Sequence, residues 1–175
     1  MITVQRMHVD HVQQLSEIDR SEYIEFIYIM KNGHLERVDQ NHECPNWDSD
    51  LLAELQQRYV DELKQGGVAV GAYDGERLVG FGVLSSKRRG VEQNRVQVDL
   101  MYVTRHYRKQ GIGTRIMDQL AQEAKAWGAK YLYISSTETQ SAVSFYQKNG
   151  GSITTDVDPE LFEKEPMDIH MIKEL

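Results

Sequence analysis

Arg108, Gly111 and Gly113 stand at the spacing Arg-x-x-Gly-x-Gly, between a strand-like run ending at Val103 and a helical apolar pattern starting at Ile112. Glycine in such a turn can take positive φ and lets a ligand approach the main chain closely. The first N–H groups of a helix have no internal acceptor and carry the positive end of the helix dipole, so they bind anions. Arg108 and Lys109 add charge at the same mouth. The implied chemistry is phosphate binding. A triphosphate loop would need Gly-Lys-Ser/Thr four residues after a glycine, and a dinucleotide loop would need a third glycine where Ile116 stands. Neither is present.

A second group follows: Ala142-Val143-Ser144-Phe145-Tyr146-Gln147-Lys148-Asn149-Gly150-Gly151. The two segments together resemble the motifs of the GNAT superfamily of N-acetyltransferases, the first its acetyl-CoA signature Gln/Arg-x-x-Gly-x-Gly/Ala, the second its later Ala-x-x-Phe-Tyr helix. The likeness is strong over Val68–Gly151 and looser over Ile2–Asp19. It implies that main-chain N–H groups from Lys109 or Gln110 through Gly111, Ile112, Gly113 and Thr114 cradle the pyrophosphate of acetyl-CoA, with Arg108 beside them. It implies that the strand carrying Met101, Tyr102 and Val103 bends at a β-bulge near Leu100 or Met101, and that main-chain groups of Met101 and Val103 pair with the pantetheine amides. Tyr146 would donate a proton to the departing thiolate, where a positioned hydroxyl stabilises developing charge.

The chain departs from the family pattern at three places. Thr139 stands where Asn is common, and Gly151 replaces an apolar residue. Gln97 occupies the place of a frequent Glu, and an amide cannot be a general base. Asp99 lies two residues on, on the same strand face, and is the candidate base or amine-orienting carboxylate. The resemblance implies direct transfer from acetyl-CoA to a primary amine of a small molecule or protein within a ternary complex. An acyl-CoA-binding sensor that kept the fold and lost turnover is the alternative, with Gln97 its main support.

The elements that must position these residues are legible to differing degrees. Ile2 and Val4 alternate as a strand, and Val9, Val12, Leu15 and Ile18 recur as a helix. Tyr23 to Met30 runs into Asn32-Gly33, a hairpin signal, with a short helix over Glu22–Met30 as the competing reading. Asp48 or Ser49 caps a helix through Leu63 that stops at Gly66-Gly67. Val68–Tyr73 and Arg77–Leu84 flank Asp74-Gly75 as a hairpin. Ser85–Asn94 reads as a polar loop whose Lys87, Arg88 and Arg89 are solvated. Val96–Val103 is a strand, Gly111–Gly128 spans a helix, Tyr131–Ser135 is a strand, Gln140–Lys148 a short helix and Asp168–Ile172 a last strand. The stretch between Pro159 and Pro166 reads as irregular. This order predicts a single α/β (α+β) domain over residues 1–175: a mixed, mostly antiparallel sheet flanked by helices and splayed at the cofactor site.

Composition narrows the partners. The 175 residues carry 20 basic and 27 acidic side chains, a net charge of -7. That opposes a nucleic-acid surface and suits a cationic substrate. The one cysteine, Cys44, allows no intrachain disulfide and lies far from both motifs, so a covalent acyl-cysteine route is disfavoured. The six histidines show no metal-ligand spacing, so no metal is expected. No signal-peptide pattern or membrane-length apolar run is present, and a cytoplasmic protein with no membrane partner is expected. Many members of the resembled family are dimers, so a homodimer is an expected assembly by that likeness.

Overall fold

A computed structural model describes residues 1–175, and in it the alternating Ile2 and Val4 form β1 (Ile2–Met7). The spacing of three at Val9, Val12, Leu15 and Ile18 yields a 3-10 helix, Val9–Glu17, rather than an α-helix. A period of three matches three residues per turn, and of these four residues only Leu15 and Ile18 are buried. The Tyr23–Met30 ambiguity resolves to strand. β2 (Glu22–Lys31) and β3 (His34–Cys44) form an antiparallel hairpin. Asn32 and Gly33 both take positive φ, 52° and 79°, the geometry that matches strand twist in a two-residue turn.

α1 (Ser49–Lys64) begins where the Asp48 carboxylate accepts from Leu51 N at 2.8 Å, a cap of about 1 kcal/mol. The remaining elements are β4 (Val68–Asp74), β5 (Arg77–Arg89), β6 (Arg95–Val103), α2 (Ile112–Ala126), β7 (Tyr131–Ser136), α3 (Gln140–Lys148), β8 (Ser152–Ile153), α4 (Pro159–Lys164) and β9 (Ile169–Glu174). Two sequence expectations are corrected. β5 does not end at Leu84 but runs on to Arg89, through half of the expected loop. Arg89 is buried, bonded to Asp158 at 3.0 Å and Glu160 at 3.3 Å. Lys87 pairs with Glu160, and Arg88 donates to the Trp127 carbonyl. Lys87 is solvent-exposed as expected, whereas Arg88 and Arg89 are structural and not part of a solvated loop. Their partners create the second correction, because the stretch after Pro159 is helical, capped by Asp158 accepting from Leu161 N.

Seven strands form one sheet in the order β1-β4-β5-β6-β7-β9-β8, and every neighbouring pair is antiparallel except β6–β7. The strand period sorts side chains onto two cores. Val68, Val70, Ala72, Val96 and Val98 pack with Ile116, Met117 and Leu120 of α2. Ala69, Tyr73, Phe81, Val83 and Leu100 pack with Leu55 and Tyr59 of α1 and with Leu15 of the 3-10 helix. Ile116, Met117 and Leu120 are wholly buried, each such burial contributing about 1.5–3 kcal/mol. Gly82 lets α2 lie close, since a Cβ there would stand 2.9 Å from both Ile116 and Leu120.

Two irregularities of β6 open the sheet. Val83 faces Leu100 and Leu84 faces Val98, so Asp99 is the unopposed residue of a β-bulge, a position before the expected one. β6 pairs with β7 only from Arg95 to Gln97, opposite Tyr131 to Tyr133. Beyond Gln97 the two strands part. β7 continues beside β9 alone, and β2 closes over its end, with Tyr28 N donating to the Glu138 carbonyl at 2.7 Å.

Candidate active site

The gap between β6 and β7 exposes strand edge. Thr104 N donates to the Val79 carbonyl at 2.9 Å. That bond makes Val103 and Gly80 a non-hydrogen-bonded pair, whose own N–H and C=O point away from each other. Val103, and Met101 two residues earlier, therefore turn their main-chain groups towards the gap, while Tyr102 bonds towards β5. The Tyr102 ring goes to the α1 face, stacked on Phe81 at 5.7 Å and edge-on to Trp47 at 5.2 Å.

The strand edge leads into the glycine turn. Lys109 and Gly111 both take positive φ, 61° and 82°, and Gly111 caps α2. Successive N–H groups of Lys109, Gln110, Gly111, Ile112, Gly113 and Thr114 have no acceptor within the protein. The first amide of this stretch that bonds is Arg115 N, to the Gly111 carbonyl at 3.1 Å. An unbroken run of unpaired amides at a helix start is an anion cradle. Space above Gly111 is open, whereas a Cβ on Gly113 would meet the Phe145 ring at 2.6 Å. The second glycine thus serves α2–α3 packing, and it ties the two sequence motifs to each other physically.

Arg108 does not lend its charge to this cradle. Its guanidinium turns inward and donates to the carbonyls of Val103 at 2.8 Å, Ser21 at 2.9 Å and Asp19 at 3.1 Å. Burial lowers its pKa, offset in part by Glu22 and Asp19. Arg108 fixes the turn against the chain entering β2, and Lys109 is the exposed cation left at the mouth.

Tyr146 lies on α3, buried, its ring edge-on to Phe145 at 5.1 Å. Its hydroxyl makes no hydrogen bond in the protein. Burial raises its pKa strongly, and the neighbouring Tyr102 and Asp168 add to the rise. Such a hydroxyl stays protonated at neutral pH and is a donor, not a base. Thr139 accepts from Ala142 N at 3.3 Å and so caps α3.

Asp99, turned out by the bulge, meets Arg58 of α1 in a two-point ion pair, Oδ2 receiving Nε at 2.8 Å and Oδ1 receiving Nη2 at 2.5 Å. Both oxygens are occupied by a cation. Gln97 is buried one turn of the pleat away.

A cavity of about 510 Å³ opens at the start of α3, with the capping Thr139 in its lining. The hairpin gives it Ile24, Ile27 and Gln40, the β7–α3 turn gives Glu138 and Thr139, and the segment before β9 gives Glu165 and Asp168. Three carboxylates and no basic side chain line it. Ser135 Oγ donates to Asp168 at 2.7 Å. The sequence reading missed Glu138, Glu165, Asp168 and Arg58. No spacing marks them, because the three carboxylates meet only once β7, the chain before β9 and the hairpin are folded together, and Arg58 meets Asp99 only once α1 packs on β6.

Residues 22–151 match the sequence model of the Acetyltransferase (GNAT) family. No curated protein matches the chain. Among solved structures, a protein of Bacillus anthracis str. Ames described as a candidate streptothricin acetyltransferase, in complex with acetyl coenzyme A, superposes with a TM-score of 0.75 at 18% identity, covering 100% of this chain and 99% of its own. Nourseothricin acetyltransferase gives 0.72 at 16% identity, covering 99% and 98%. PaiA N-acetyltransferase of Thermoplasma acidophilum, in complex with coenzyme A, gives 0.66 at 16% identity, covering 100% and 99%.

Proposed function

The chain belongs to the GNAT acetyltransferase family, and from that premise we propose that it transfers an acetyl group from acetyl-CoA directly to a primary amine of a small cationic molecule. The observation that carries this reading is one continuous polar track. The outward main-chain groups of Met101 and Val103 lead straight into the six unpaired amides Lys109–Thr114. Its chemistry fits a ligand with amides at one end and a pyrophosphate at the other.

When bound, acetyl-CoA supplies the acyl thioester that the amine attacks. Met101 and Val103 hold it as an added strand would, and the Gly111 turn holds its phosphates. One Val103 carbonyl lone pair is already taken by Arg108, so its N–H is the stronger contact. Tyr146 Oη keeps a proton ready for the leaving sulfur. The family-typical positioning of both reactants in one cleft supplies much of the rate. Of the two roles open to Asp99, its pairing with Arg58 favours orientation of the site over proton transfer.

The acceptor cavity argues for a cationic small molecule over a bulky protein segment. The hairpin, the β7–α3 turn and the segment before β9 line it, and Glu138, Glu165 and Asp168 give it a negative lining. The net charge of -7 works in the same direction by raising the local concentration of cations. Buried Gln97, in place of the family's Glu, favours one second reading, a domain that binds acyl-CoA without turnover.

Thiol release from acetyl-CoA, measured against spermidine, kanamycin, nourseothricin, lysine and a lysine-containing peptide, tests the proposal. Saturable release with one or more of the small cations is expected. Release with the peptide alone would move the acceptor to a protein. Tight acetyl-CoA binding with no release from any amine would favour the sensor.

A further inference from the structure

We propose that Asp168 is the base that takes the proton from the acceptor ammonium; this deepens the transferase reading and rests on it. Gln97 cannot accept a proton, and Asp99 has both oxygens committed to Arg58. Of the three carboxylates that line the cavity, none in an ion pair, Glu165 is exposed, and Asp168 is the one whose charge acts on Tyr146. It forms no ion pair, and its one direct partner is the Ser135 hydroxyl on Oδ2, which leaves Oδ1 unbonded.

Its position suits the task. Asp168 lines the cavity beside the end of β7, on the segment entering β9. Its charge is close enough to help raise the pKa of Tyr146. The proposed base shares its cavity with Thr139, the cap of the helix that carries the proposed acid. The groups around Asp168 are Glu165 on its own segment, Glu138 on the β7–α3 turn, Ser135 on β7, Tyr146 on α3 and, farther off, Arg58 on α1, while β2 and β3 contribute the uncharged Ile24, Ile27 and Gln40. Burial, helped by Glu165 and Glu138 and opposed by Ser135 and Arg58, raises its pKa from 3.8 to about 6. A base of that strength is ionised at neutral pH and still able to take a proton.

The proton balance closes. One N–H bond of the ammonium breaks, an O–H bond forms on Asp168 Oδ1, and nitrogen keeps the electron pair with which it attacks. Asp168 returns this proton to water through the cavity. The nitrogen loses a second proton as the amide forms, and through solvent this replaces the one given up by Tyr146.

Two readouts on the full chain test the assignment: the pH profile of thiol release with the best acceptor from the amine panel, and carbon-13 NMR titration of the Asp168 carboxyl in the free protein. The acid limb of kcat/KM and the carboxyl midpoint should coincide near 6. Asp168→Asn should lower kcat at saturating amine at least about 100-fold, abolish that limb and leave acetyl-CoA affinity unchanged. Ser135→Ala removes the hydrogen bond that favours the ionised form, so limb and midpoint should move to higher pH together. If Asp168→Asn raises KM and spares kcat, Asp168 only binds the cation and the proposal fails. If the limb persists in Asp168→Asn, another group is the base. If no amine releases thiol from wild-type protein, the transferase reading falls and takes the base with it.

Discussion

Tyr146 and Asp168 are pushed in one direction by burial and arrive at opposite uses. The phenol is held protonated, while the carboxyl is brought close to neutrality. Tyr146→Phe should reduce kcat by about 100-fold or more, the usual range for a lost proton donor, and leave acetyl-CoA binding by calorimetry within about twofold; unchanged turnover would remove Tyr146 from the mechanism. Asp168 also has a cost in stability. Its folded-state pKa, about 6, exceeds the reference 3.8, so the folded protein binds this proton more tightly than the unfolded chain. The associated stabilisation is present in full below 3.8 and is lost as pH rises through 6. Asp168→Asn should therefore raise stability at pH 8 by roughly 1–3 kcal/mol and change it little at pH 3.5. Thermal melts at both pH values check this, and a lower melting temperature at pH 8 would contradict it. The sequence singles out Tyr146 as a candidate because Phe145 and the closing glycines frame it in a local motif. Asp168 has no such frame, since its hydroxyl partner Ser135 lies 33 residues away.

The elements that the sequence reveals are those whose reasons are local. α2 and α3 follow from apolar periodicity and an adjacent turn, and the β2–β3 hairpin follows from Asn32-Gly33. The end of β5 was not legible, because what orders Arg89 is Asp158, 69 residues on. The start of α4 did carry a signal, Asp158-Pro159, a capping acid before a proline at the first helical position. The bulge at Asp99 shows in pairing register and not in residue type. Among these elements the hairpin is the one whose loss should separate acceptor from cofactor. It walls the cavity with Ile24, Ile27 and Gln40 and adds only Tyr28 and Leu35 to the edge of a core. Removing residues 27–38, with Phe26 joined to Asp39 through Asn-Gly, leaves the chain segments that hold Arg108. This variant should fold and keep acetyl-CoA affinity within about threefold while the KM for amine rises at least about tenfold. Equal loss of both affinities would mean that the hairpin is part of the cofactor site.

At the scale of the molecule, the sheet does the organising. Antiparallel pairing runs through β1, β4, β5 and β6, and the single parallel contact gives out after Gln97. That opening leaves a strand edge, normally a liability, free for the proposed cofactor, and the edge runs on into the glycine turn. Fold class was legible because the motifs that imply it are contiguous, and the proposed cofactor loop and Tyr146 are singled out by those same motifs. The inward turn of Arg108, the Asp99–Arg58 pair and the carboxylates of the cavity were not, because each depends on contacts across the whole sheet. The central claim, that the β6 edge and the Gly111 turn form one acetyl-CoA track, is tested most directly by amide NMR of nitrogen-15-labelled protein titrated with acetyl-CoA. The account predicts saturable shifts concentrated at Met101, Val103 and Lys109–Thr114. Saturable binding that leaves these amides unmoved would contradict it.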